Sequence, residues 1–79
     1  MIIETKEYAN GVQVVHEFPN GYGASVVKHD YSYGGKDGLW EMAVLKEGEL
    51  CYNTHITNDV IGYLSDADVK STLKEIEQL

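Results

Sequence analysis

The sequence predicts an α+β domain: an antiparallel β-meander of four to five strands with a C-terminal helix packed on one face. Gly-bearing turn signals at Asn10-Gly11, Asn20-Gly21, Gly34-Gly35-Lys36-Asp37-Gly38 and Glu47-Gly48 cut residues 1–50 into short β-type runs. Asn-Gly supplies the two positive φ values of a tight hairpin at little steric cost. After Ile56 the apolar period changes from two toward 3.6, which marks the passage from strands to helix.

Ile2 to Tyr8, with β-branched Ile2, Ile3 and Thr5, reads as a first strand lying at an edge with its charges in water. Asn10-Gly11 turns it back. Val12, Val14, His16 and Phe18 then share one face of a second strand, with Gln13, Val15 and Glu17 on the other. Tyr22 to Asp30 makes a third strand, in which Gly23 marks a bulge. Leu39 to Lys46 is apolar on both faces, with Trp40, Met42 and Val44 pointing one way and Leu39, Ala43 and Leu45 the other. Such a strand is central and covered on both sides. Lys46-Glu47-Gly48-Glu49 closes a hairpin into a fifth strand from Leu50 to Tyr52, extending toward Ile56. Thr57 or Asn58 then caps a short helical turn through Asp59, Val60, Ile61 and Tyr63 that ends near Leu64.

The clearest helix signal follows. Ser65 is an N-cap with Asp68 at N3, and Asp66 and Asp68 favour the positive end of the helix dipole. Val69, Leu73 and Ile76 form the apolar stripe that meets the sheet, while Lys70, Lys74 and Glu77 face water. One such helix covers a sheet of this width only in part. The second face of the Leu39 to Lys46 strand therefore calls for a partner, and an isologous homodimer is the simplest one.

A chain of 79 residues is one domain, 1–79, burying ~60 to 65% of the surface of its unfolded form. Thirteen acids against six Lys and no Arg give a formal charge of -7. That balance repels nucleic acid and anionic lipid and favours basic partners. The charge is uneven: residues 1–46 carry six acids and four Lys (6 − 4, a net -2), and residues 47–79 carry seven acids and two Lys (7 − 2, a net -5). Without Arg, bidentate capture of phosphate is hard to build. Cys51 is the only cysteine, so no internal disulfide is available and a reducing compartment is expected, with Cys51 a small buried residue on a strand. Met1-Ile2-Ile3 runs at once into Glu4, Lys6 and Glu7, which leaves no h-region for a signal peptide and no membrane-spanning stretch. A soluble cytoplasmic protein is expected.

The search for catalytic chemistry returns structural readings. His16, His29, His55 and Cys51 have spacings that match no zinc pattern. His29-Asp30 are strand neighbours that point to opposite faces. Ser25, Ser32 and Cys51 sit in no nucleophile elbow, and the glycine loop lacks the strand-to-helix setting and the ending of a phosphate cradle. No cofactor, no metal and no enzyme activity are expected. Aromatic placement is more informative. Tyr31 and Tyr33 flank Ser32 on the approach to the glycine loop, in a chain with six Tyr. Tyr offers a large amphipathic contact at low entropy cost. If strand geometry continues, the two rings share one face and fill adjacent pockets.

The runs Tyr8-Ala9-Asn10-Gly11-Val12, Asn20-Gly21-Tyr22-Gly23-Ala24-Ser25-Val26, Tyr31-Ser32-Tyr33-Gly34-Gly35, Gly38-Leu39-Trp40-Glu41 and Val60-Ile61-Gly62-Tyr63-Leu64-Ser65-Asp66 resemble small acidic uncharacterised proteins encoded by tailed bacteriophages. The likeness spans nearly the whole chain and transfers no site residue. It implies a phage context, in which small acidic proteins without catalytic motifs are similar to inhibitors of host or defence machinery, anti-CRISPR and anti-restriction factors among them. The expected function is to bind a basic surface of a host or defence protein in the host cytoplasm and to inhibit or redirect it. Tyr31 and Tyr33 are the expected anchors, with Asp37, Glu47, Glu49 and Asp59 as the charged contacts. Direct nucleic-acid or membrane binding is not expected. The alternative is a structural or virion-associated homo-oligomeric module.

Overall fold

The computed structural model describes residues 1–57 and 59–79. Six strands and one helix form the α+β meander: β1 (Ile2–Tyr8), β2 (Gly11–Glu17), β3 (Tyr22–Lys28), β4 (Trp40–Lys46), β5 (Glu49–Leu50), β6 (Ile61–Leu64) and α1 (Asp66–Glu77). The strands pair antiparallel in the order β1-β2-β3-β4, and β5 and β6 share the outer edge of β4 at its two ends.

Register places Val14, Val26 and Met42 in one cross-strand row and His16, Ala24 and Val44 in the next. This face packs under α1 with Phe18, Cys51, Leu64 and Ile76. Within α1 the deepest side chains are Thr72 and Ile76, whereas Val69 and Leu73 are only half-buried, so the buried stripe is turned by part of a residue from the one the apolar pattern suggests. The Ser65 cap is as expected. Its side chain accepts from the Asp68 N–H, and the Asp68 carboxylate accepts from the Ser65 N–H. At the other end, Asn20 Nδ2 donates to the carbonyls of Ile76 and Glu77, each at 3.0 Å, tying the β2–β3 turn to the last turn of the helix.

Several local expectations are corrected. The segment before α1 is β6, not a helical turn. Ile61 and Leu64 pair with Met42 and Trp40 and join the core, because the outer edge of β4 offers unpaired backbone groups that a strand satisfies and a helical turn does not. Tyr63 adopts φ 58 and the register slips between Trp40 and Met42, so β6 is bulged. The Thr57 side chain does accept from the Asp59 N–H at 3.0 Å; Asn58 lies outside the described residues. β3 ends at Lys28 rather than Asp30 because the His29 N–H is taken by Ser32 Oγ. β5 is shorter than expected, and Cys51 follows it outside any strand, buried, with its Sγ 3.0 Å from Asn53 Oδ1. Gly23 is not a bulge. Pairing is regular through it, and a Cβ there would overlap the His16 carbonyl oxygen. The bulge lies instead in β1, between Ile2 and Glu4.

The second face of β4 also needs less cover than its sequence suggests. Ala43 and Leu45 are only 8% and 9% exposed in the single chain, with Leu45 paired between Gly23 and Leu50. The apolar pattern of this strand is therefore no argument for a second copy on that face.

His16 lies on the helix side of β2, its ring stacked at 6.4 Å on Phe18. Burial, and second the nearby N-terminal charge, hold its imidazole below the ordinary value of 6.5. The neutral form is therefore favoured by folding, and the unfolded chain takes up the proton first as the pH falls. Stability should be full above about pH 6.5 and should decline below it, so the melting temperature is expected to drop as the pH is lowered below about 6.5. His16→Gln should flatten that part of the pH profile; an unchanged slope would place His16 outside the titrating set.

Candidate interaction surface

The chain leaves β3 into a loop that is clamped at several points. Ser32 is buried, and its Oγ accepts from the His29 N–H and donates to the His29 carbonyl, both at 2.9 Å. The Tyr31 N–H donates to His29 Nδ1 at 3.1 Å. A 3-10 turn, Gly35–Asp37, follows between Gly34 and Gly38, both left-handed, and the Leu39 N–H returns to the Gly34 carbonyl at 2.9 Å. The Tyr33 backbone is held from both directions. Its N–H donates to Glu41 Oε1 at 2.9 Å and its carbonyl accepts from the Tyr63 N–H at 3.1 Å. With the backbone fixed in this way, Tyr31 and Tyr33 project with 80% and 61% of their surface exposed.

These two rings do not share one face as a continued strand would require, because the chain bends at His29. Tyr31 lies toward His29, with ring centroids 6.3 Å apart, and His29 in turn meets the edge of Tyr8 at 5.0 Å. Tyr33 lies against β6, where a Cβ added to Gly62 would stand 2.5 Å from the Tyr33 Cβ. Tyr8 and Tyr63 are exposed as well, so one end of the sheet presents four tyrosines and a histidine. Tyr8, His29 and Tyr63 are the residues that sequence reasoning missed. The usable signal for Tyr8 was its place beside the first turn, because β1-β2-β3 pairing carries that turn to the start of the loop. There Asn10 Nδ2 donates to Asp30 Oδ2 at 2.8 Å, and the Asp30 N–H reaches the Ala9 carbonyl at 3.0 Å.

The expected charged contacts do not form one patch with the tyrosines. Asp37 is exposed on the 3-10 turn at the tyrosine end. Glu47 and Glu49 are exposed on the β4–β5 hairpin, at the far end of a seven-residue strand that spans ~20 Å. Asp59 is exposed between β5 and β6 in the chain. Of the remaining acids, Asp66 accepts from Trp40 Nε1 at 2.7 Å and Asp68 caps α1. Lys28 sits 4.3 Å over the Trp40 ring and Lys46 5.1 Å over Tyr22, so two of the six lysines rest on aromatic faces, and Lys46 does so at the base of the acidic hairpin, where it pairs with Glu49.

His16 is on the helix side of β2, His29 in the loop and His55 exposed on the 51–60 segment, and among the described residues no three His, Cys, Asp or Glu side chains gather as a metal site would need. A hollow of about 320 Å³ on the second sheet face is lined by Ile3, Val15, Leu45 and Leu50. Glu4, His16 and Glu17 line it as well, and Gln13 Nε2 donates to Ser25 Oγ at 2.8 Å. Among the described residues no helix is long and apolar enough to cross a membrane. No family model, curated protein or solved structure matches this chain.

Proposed function

We propose that the chain is a protein-binding module of phage type that occupies a basic surface of a host or defence protein in the host cytoplasm, inhibiting or redirecting it without catalysis. The observation that carries this reading is the pair of exposed tyrosines on a backbone-clamped loop, widened by Tyr8 and Tyr63. Large exposed rings held by a fixed backbone lose little entropy on contact, which is what binding anchors need. The acidic hairpin at Glu47 and Glu49, with Asp59, supplies long-range attraction for a basic partner rather than contact energy. The same reading includes a homodimer.

Affinity purification from host lysate, followed by binding measurements on the purified partner, tests this. Tyr31→Ala or Tyr33→Ala should weaken binding by about 2 kcal/mol, roughly thirtyfold, and leave the melting temperature unchanged. Reversing charge at Glu47, Glu49 and Asp59 together should slow association without changing the fold, as should raising the salt until the Debye length falls below ~8 Å. Affinity untouched by either tyrosine change would remove this end of the sheet as the anchor. Recovery only with capsid or tail proteins would replace the inhibitory reading by the structural one.

A further inference from the structure

The free edge of β1 is the least covered part of the sheet: every residue from Ile2 to Tyr8 is exposed. Of the nine exposed large apolar side chains among the described residues, four, Met1, Ile2, Ile3 and Tyr8, lie on or beside this strand. Open edges of this kind recruit further strands.

Which backbone groups are free follows from the ladder. The Phe18 N–H bonds the Tyr22 carbonyl and the Glu17 N–H bonds the Met1 carbonyl, so even residues of β2 bond toward β3 and odd ones toward β1. Gly11, Gln13 and Val15 pair with Tyr8, Lys6 and Glu4. Those three β1 residues therefore direct their N–H and C=O inward, and Thr5 and Glu7 direct theirs out from the free edge.

We infer that a second copy of this chain occupies that edge, β1 antiparallel to β1 about a two-fold axis at Thr5, joining the two sheets into one. This deepens the self-association part of the reading above and moves it from the sheet face to the sheet edge. In this register Thr5 exchanges both hydrogen bonds with its copy. Glu4 of each chain stands opposite Lys6 of the other at a non-hydrogen-bonded position, where side chains approach most closely. Beyond the irregularity between Ile2 and Glu4, the same register carries Ile2 of one copy toward Tyr8 of the other and Ile3 toward Glu7. An axis at Glu4, Lys6 or Glu7 would instead set that charged residue against itself. The charges of this edge thus act as register markers: they disfavour alignments centred on a charged residue and complement the one centred on Thr5. An isologous contact of this type closes on itself and leaves no further β1 edge to recruit a third copy.

Sedimentation velocity over a micromolar concentration series tests the edge by charge exchange. The parent chain should dimerise. Glu4→Lys alone sets Lys against Lys and Lys6→Glu alone sets Glu against Glu, and each should raise the dimer dissociation constant by on the order of tenfold. An equimolar mixture of the two single variants should restore dimers as heterodimers. The double variant Glu4→Lys with Lys6→Glu should restore them as homodimers. Recovery in the mixture also shows that neither single variant has simply unfolded. A parent chain that stays monomeric at high micromolar concentration overturns both this edge and the homodimer. A dimer indifferent to all four charge arrangements overturns the edge and keeps the homodimer.

Discussion

Ile76→Ala should remove most of the stability of this domain, with a loss of about 3 to 4 kcal/mol. Ile76 has 0% of its surface exposed and lies where α1 meets the rows of β3 and β4. Truncation removes buried methylenes and leaves a cavity that a helix pinned by Asn20 at its last turn and by the Ser65 cap at its first cannot collapse to fill. A domain this small has roughly 5 kcal/mol in total, so the variant should be partly unfolded at room temperature. Urea titration followed by circular dichroism measures this directly. Leu73→Ala, at a half-buried position one turn earlier, should cost about 1 to 2 kcal/mol. Equal losses at the two sites would mean that α1 is rotated on the sheet relative to this structure.

Gly11→Ala should cost about 3 kcal/mol, and for a reason that separates two readings of the first turn. Asn10-Gly11 reads as the two centre positions of a tight hairpin, which would place Gly11 at positive φ. In the structure the positive values fall one residue earlier, at Ala9 (φ 49) and Asn10 (φ 62), and Gly11 pairs with Tyr8 as the first residue of β2. What requires glycine there is space. A Cβ would overlap the Lys28 carbonyl oxygen and stand 2.6 Å from the His29 Cα, backbone atoms at the end of β3 and just beyond it. Gly11→Asn should therefore be as damaging as Gly11→Ala, although Asn tolerates positive φ well. At Gly48, with φ 84 and no atom within reach of an added Cβ, the order reverses: Asn should be tolerated and Ala should cost about 1 kcal/mol. A Gly11→Asn variant as stable as the parent would return that residue to the turn.

The candidate surface was legible only in part. Tyr31 and Tyr33 stood out by composition and position, and the structure exposes both. Their separation onto different neighbours, and the company of Tyr8, His29 and Tyr63, depend on the bend that Ser32 makes by bonding back to His29. A serine between two tyrosines carries no sign of that bond. The acids were visible as a count, but their distance from the tyrosines follows from the length and direction of β4.

By itself the sequence determined what a few adjacent residues decide: the edge strand Ile2 to Tyr8, the Glu47-Gly48 hairpin with both residues at positive φ, the core-facing alternation of Trp40, Met42 and Val44, and the Ser65–Asp68 cap. These rest on dihedral preference, alternation and capping, which act within a turn or a strand. Tertiary structure alone decided the rest. Ile61 to Leu64 suits a helix or a strand, and it becomes β6 because the edge of β4, some twenty residues earlier, has backbone groups to satisfy. Gly11 and Gly23 look like conformational glycines and are steric ones, because the atoms that exclude a side chain belong to neighbouring strands. Ala43 and Leu45 look as if they need a partner and are already buried within the single chain. In each case the deciding contact lies far along the chain, where local preference carries no information about which backbone will arrive.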